Sequence, residues 1–186
     1  QYATTYEWRV ICKNDTCSGT PVATWSFTTE QDPGLTTLFF EDFTAGIGNW
    51  TITDNGGTPT CLWSIHQASE YTMPTTAVGN VLAADVDACG TGSTLLSTAT
   101  YNNPIDASLY SIVNLEFDND WQALDADDFG YVEVSVDGGT TWTAIRTFDG
   151  TDVRNTHEVV NISSFVALQS FRLRLRSVQP GWDWWW

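Results

Sequence analysis

The sequence predicts an all-β chain, and three observations carry that reading. Thr, Ser, Asn and Gly make up most of the uncharged polar share, while the helix formers Lys, Glu and Met are scarce. Where a run is long enough to judge, apolar and charged residues alternate with period two. Val113, Leu115 and Phe117 alternate with Asn114, Glu116 and Asp118, and Phe171, Leu173 and Leu175 with Arg172, Arg174 and Arg176. The surest local signal is Asp137-Gly138-Gly139-Thr140 between two apolar runs, because Asp and Gly tolerate the positive φ that hairpin turns require.

Taken in order, residues 1–30 read as a β-hairpin: a strand from Thr5 to Cys12, a polar turn at 13–16, and a second strand from Val22 to Thr29. Gln31-Asp32-Pro33-Gly34 is a breaker cluster, so residues 31–37 form a linker. Residues 38–186 then read as one large sandwich. Its strands begin with Leu38-Phe39-Phe40-Glu41-Asp42-Phe43, Asn49-Trp50-Thr51-Ile52 and Leu62-Trp63-Ser64-Ile65. They continue through the two alternating runs above and the hairpin pair 131–136 and 141–145, with one or two helical turns at most near Ser163. Acidic residues such as Glu116, Asp118 or Glu133 are expected opposite the outward row Arg172, Arg174, Arg176, as exposed pairs that set register more than stability.

A length of 186 residues suits one full domain and part of another. The net charge of -16, with seven basic residues, repels a polyanion and excludes nucleic-acid binding. No apolar run of about 18 residues exists, which excludes membrane insertion by a helix. Gln1 is followed by no charged-then-apolar leader, so the chain is expected to be processed or a section of something longer. The cysteines form a close pair, Cys12 and Cys17, and a distant pair, Cys61 and Cys89, with no CxxC spacing and no neighbouring His to complete a zinc site. Two disulfides and an oxidising, extracellular or cell-surface location follow, with free buried thiols as the alternative.

Several segments could carry chemistry. Residues 135–142 match the Asp-box pattern S-x-D-x-G-x-T-W, a structural hairpin of which this chain has a single copy. His66 and His157 lie in no nucleophile or zinc motif, so no enzyme activity is expected. The acidic clusters at 41–42, 85–87, 118–120 and 125–128 could supply oxygen ligands to calcium or simply face solvent. Ten tryptophans, four of them at 182–186, offer aromatic faces for sugar rings or for a core. Asn14, Asn49 and Asn161 open formal N-glycosylation triplets.

Two resemblances sharpen these expectations. Residues 3–10 and 24–29, with Tyr6 in the corner-tyrosine position, resemble the last two strands of a bacterial fibronectin type III domain. Phe39-Phe40-Glu41-Asp42-Phe43, Gly48-Asn49-Trp50, residues 81–88, residues 132–142 and Gly181-Trp182-Asp183-Trp184-Trp185-Trp186 resemble the MAM-like jelly roll, whose close relatives are choice-of-anchor J and cleaved-adhesin modules. The resemblance spans residues 38–186 and stops one strand short of the family's usual end. It implies a non-catalytic, extracellular module pair of a larger bacterial surface or secreted protein, for adhesion or glycan binding, with structural calcium on Glu41, Asp85 and Asp87. Trp182 and Trp185 are the expected ligand contacts. The partner would be a surface glycan or protein, or copies of the chain itself. Two other roles fit the same sequence: a link in an extracellular fibre, its strands completed by a neighbour, and an accessory region of a secreted peptidase or glycosidase.

Overall fold

The structure, a computed structural model, describes residues 5–10, 23–28, 34–57 and 60–186. The chain divides into two compact units, Gln1–Thr37 and Leu38–Trp186.

In the first unit, β1 (Thr5–Val10) and β2 (Ala23–Thr28) pair antiparallel, with Tyr6 opposite Phe27 and Trp8 opposite Trp25. Side chains two apart share a face of a strand, so this register gathers all four rings on one side. The Tyr6 and Phe27 centroids are 5.4 Å apart and those of Trp8 and Trp25 are 4.5 Å apart, each pair stacked. Tyr6 and its three companions are exposed. Cys12, Cys17 and Asn14 lie outside the described residues, and with them the expected hairpin staple.

The second unit is an all-β sandwich. One sheet runs in the order β10 (Thr143–Phe148), β9 (Phe129–Ser135), β12 (Ser170–Gln179), β6 (Leu95–Tyr101), β3 (Trp50–Asp54), antiparallel throughout, and β7 (Ile105–Asp106) joins the start of β12. Opposing it are two antiparallel pairs, β11 (Val153–Asn161) with β8 (Asn114–Trp121), and β4 (Ser64–Gln67) with β5 (Asn80–Ala83). A single helical turn, α1 (Ser163–Val166), precedes β12. Leu95, Val132, Val86, Trp121, Phe148 and Val166 are fully buried in one core, against which Leu115, Phe117 and Leu175 pack from the alternating strands.

Residues 184–186 tie the two opposing pairs together. Trp186 exchanges backbone hydrogen bonds with Ala84, and Val86 donates to the Trp184 carbonyl. On the other side Trp185 exchanges bonds with Gln122. The segment therefore occupies one strand position between the extensions of β5 and β8.

The structure corrects the sequence reading in three places. Residues 38–43 form no strand. Phe43 has a φ of 56°, and the Glu41 and Asp42 carboxylates accept the backbone N–H groups of Phe43 and Thr44, which folds the run into turns. Its apolar side chains Leu38, Phe39 and Phe43 still pack on the core. Thr141 and Trp142 belong to the β9–β10 loop and not to the strand, because Thr143 is the first residue paired, opposite Val134. Of the three acids offered to the arginine row, only Glu133 meets it: Arg174 stands directly across from Glu133, whereas Glu116 and Asp118 lie on β8 against β11. Nor is the pair exposed. Glu133 is 5% accessible, covered by the Arg174 and Arg176 stems, whose guanidinium groups lie over the Trp142 and Tyr131 rings at 4.2 and 3.9 Å.

Candidate functional site

The tryptophan-rich tail separates by face. The indole of Trp186 turns into the core among Trp63, Trp121 and Phe148, and its Nε1 donates to the buried Asn119 Oδ1 at 2.8 Å. Gly130 makes room for it: a Cβ there would stand 2.9 Å from the Trp186 ring and 3.1 Å from Trp121. Trp185 turns the other way. Its Nε1 donates to Asp120 Oδ2 at 2.9 Å, its ring meets Tyr71, and Arg154 lies over it at 5.3 Å.

Asp120 is the hub of that outer face. Its buried carboxylate accepts Arg154 Nε at 2.7 Å, Arg154 Nη2 at 3.0 Å, the Thr72 backbone N–H at 2.8 Å and the Trp185 indole. These four donated bonds satisfy the oxygens of a carboxylate withdrawn from water. Trp185 is thus a structural member of an ion-pair cluster, while Trp182 is exposed, 43% accessible.

Of the three positions expected to bind calcium, Glu41 and Asp85 have carboxylates that already accept hydrogen bonds. Glu41 Oε1 accepts the Phe43 N–H, and its Oε2 accepts Asn49 Nδ2 and Trp50 Nε1. Asp85 accepts the Tyr71 hydroxyl at 2.8 Å and the Ala88 N–H at 2.8 Å. Burial, together with the Asp85 bond, pushes the Tyr71 phenol far above its ordinary range. Asp87 is half-buried, and its carbonyl closes the turn to Gly90. Among the described residues no three His, Cys, Asp or Glu side chains gather into a metal-sized group. Cys61 and Cys89 form a disulfide across a separation of 28 residues, which fastens the end of this acidic loop to Cys61.

Both histidines sit on strands and bond to carboxylates. His157 on β11 meets Asp118 Oδ1 at 2.8 Å, which raises its pKa. On β4, Ser64 Oγ lies 3.0 Å from His66 Nε2, and His66 Nδ1 lies 3.1 Å from Glu70 Oε2. That is the order of a hydrolytic relay, and the sequence hid it because the three residues match no motif. The nucleophile position, however, is two residues from its own base on one straight strand, without the sharp turn that lifts a nucleophilic serine clear of its neighbours. Glu70 Oε1 also accepts the Gln67 N–H in a capping box, so the chain of bonds closes the turn after β4.

Comparison with models of protein families, with curated proteins and with solved structures finds no match.

A further pair of carboxylates, Asp128 from the 125–128 acidic cluster and Asp183, lies outside the three positions Glu41, Asp85 and Asp87. Asp128 is wholly buried at the end of the loop into β9, and Asp183 is 4% accessible between Trp182 and Trp184. Burial, with the Asp128 carboxyl beside it, pushes the Asp183 pKa up to about 6. The sequence signal was present in the Asp125-Ala126-Asp127-Asp128 cluster, but its partner lies 55 residues further along.

Proposed function

We propose that the chain is a non-catalytic extracellular module pair of a larger surface or secreted protein, binding a glycan or protein partner through exposed aromatic rings. The resemblance of its two units to a fibronectin type III end and a MAM-like jelly roll supports this reading. The observation that carries it is the distribution of tryptophan: of ten, only Trp8, Trp25 and Trp182 are exposed, in a chain that buries or half-buries the rest. A planar apolar face held open to water is what stacking on a sugar ring or anchoring a protein interface requires. Trp8 and Trp25 extend into a strip with Tyr6 and Phe27, large enough for a partner of several residues or sugar units.

The test is a glycan array with the wild-type chain, followed by titration of any hit. Trp182→Ala should weaken binding at least tenfold and lower the melting temperature less than Trp185→Ala, since Trp182 is 43% accessible. Trp185→Ala should leave binding intact and lower the melting temperature more, because Asp120 and Arg154 lose a partner. Binding that survives Trp182→Ala and loss of the hairpin rings together would remove the aromatic basis of the reading.

A further inference from the structure

Three buried side-chain oxygens among the described residues have no hydrogen-bond donor: Gln122 Oε1, Asp128 Oδ1 and Gln179 Oε1. All three are acceptors, and the strand register brings two of them, Asp128 and Gln179, to one end of the sandwich. Gln122 opens the β8–β9 loop and Asp128 closes it. Gln179 ends β12, and one step beyond the last registered pair, Phe129 with Val178, it faces Asp128 across the sheet. Its amide nitrogen is already directed at the Ala84 carbonyl and the Ser177 hydroxyl, which leaves the oxygen turned the other way. Asp183 lies against Asp128 within hydrogen-bonding reach.

The donors that do reach this cluster are few and neutral. Asp128 Oδ2 accepts the N–H groups of Leu124 at 2.8 Å and Asp125 at 3.1 Å, and Asp183 Oδ2 accepts that of Gly181 at 3.0 Å. No Arg or His among the described residues pairs with either carboxylate, since every ion pair engages Glu70, Glu158, Asp120, Glu116, Asp118 or Glu133. Two adjoining buried carboxylates with no counter-charge must be neutralised, either by a proton held between them or by a cation, and Asp128 Oδ1, which accepts from no donor, is open to either.

We propose that Asp128 and Asp183 are the carboxylate ligands of a site for a hard divalent cation, with calcium the best fit. Every candidate donor is an oxygen, which excludes a zinc-type nitrogen and sulfur set and suits an ion that takes six to eight oxygens in irregular geometry. Two carboxylates neutralise the ion, and amide, carbonyl and water oxygens complete its shell. Glu41 and Asp85 are not part of the site, since their carboxylates already accept hydrogen bonds from Phe43, Asn49, Trp50, Tyr71 and Ala88. It stands independently of any glycan binding.

The test uses the whole chain after EDTA treatment and dialysis. Calorimetric titration with calcium chloride at pH 7.5 should show one site, and calcium should raise the melting temperature. Asp128→Asn and Asp183→Asn should each weaken calcium binding at least tenfold, whereas Glu41→Gln should leave it unchanged. Because a ligand variant could fail to fold, terbium provides a second reading on the intact site. Trp182 and Trp184 flank Asp183, so tryptophan-excited terbium emission should appear, be displaced by calcium, and fall sharply in Trp182→Phe/Trp184→Phe. Absence of calcium binding, binding that persists in both Asp variants, or terbium emission indifferent to the two tryptophans would overturn the proposal. A pair that merely shares a proton gives the first of these results.

Discussion

Glu133 shows how one residue's ionisation is tied to the fold. Burial opposes its charge, but hydrogen bonds from Arg176 and from Arg174, whose Nε is 2.6 Å from Oε2, overcome that and hold its pKa below the ordinary value of 4.5. A carboxyl more acidic in the folded than in the unfolded chain contributes stability that is complete above the unfolded pKa and is lost as the pH falls through the folded one. Glu133→Gln should therefore cost about 2 kcal/mol at pH 7, less than the roughly 3–5 kcal/mol of a fully buried pair, because both arginines keep partial access to water. The difference between wild type and variant in urea melts should shrink as the pH is taken below 4. The period-two alternation revealed the arginine row and put Glu133 among its possible partners. Choosing Glu133 over Glu116 and Asp118 required knowing that β12 lies beside β9, a long-range pairing that no local pattern encodes.

At the scale of an element, the β9–β10 hairpin was legible because everything that shapes it lies within eight residues. Asp137 accepts the Thr141 hydroxyl at 2.6 Å, the Thr141 and Thr140 N–H groups, and the Ser135 hydroxyl at 2.7 Å. These bonds, the Thr141 hydroxyl foremost, hold its carboxyl well below the usual carboxylate range. Gly138 and Gly139 take φ values of 76° and 99°, and Trp142 closes the loop by donating its indole N–H to the Gly139 carbonyl at 3.0 Å. Asp137→Ala should release these donors without unfolding the sandwich: amide exchange at Thr140 and Thr141 should accelerate, while exchange in β12 stays slow. Residues 38–43 show the opposite case. Their apolar content is that of a strand, but Glu41 and Asp42 act as side-chain caps, and capping depends on which carboxylate reaches which N–H rather than on hydrophobic pattern.

Across the whole molecule, residues 184–186 carry more of the fold than their number suggests, because their backbone hydrogen-bonds to the extensions of both β5 and β8. The sequence reading divided the tail into buried and exposed rings by alternation. It could not foresee that Trp185 would complete an ion-pair cluster or that Trp186 would anchor the core, since Asp120, Asn119 and Trp63 are all more than 60 residues away. This makes Trp186 the side chain whose loss should be felt most widely. Trp186→Ala removes a ring that touches Trp63, Trp121 and Phe148, and large aromatic truncations of this kind cost about 3–5 kcal/mol. It also strips the buried Asn119 Oδ1 of its donor. Trp186→Phe keeps most of the packing and loses only the indole hydrogen bond, so its cost should be nearer 1–2 kcal/mol. Urea denaturation checks both: the midpoint should fall in that order with an unchanged slope. If the two variants were equally destabilised, the hydrogen bond to Asn119, and not the packing of the ring, would be what fastens the tail between the two halves of the sheet.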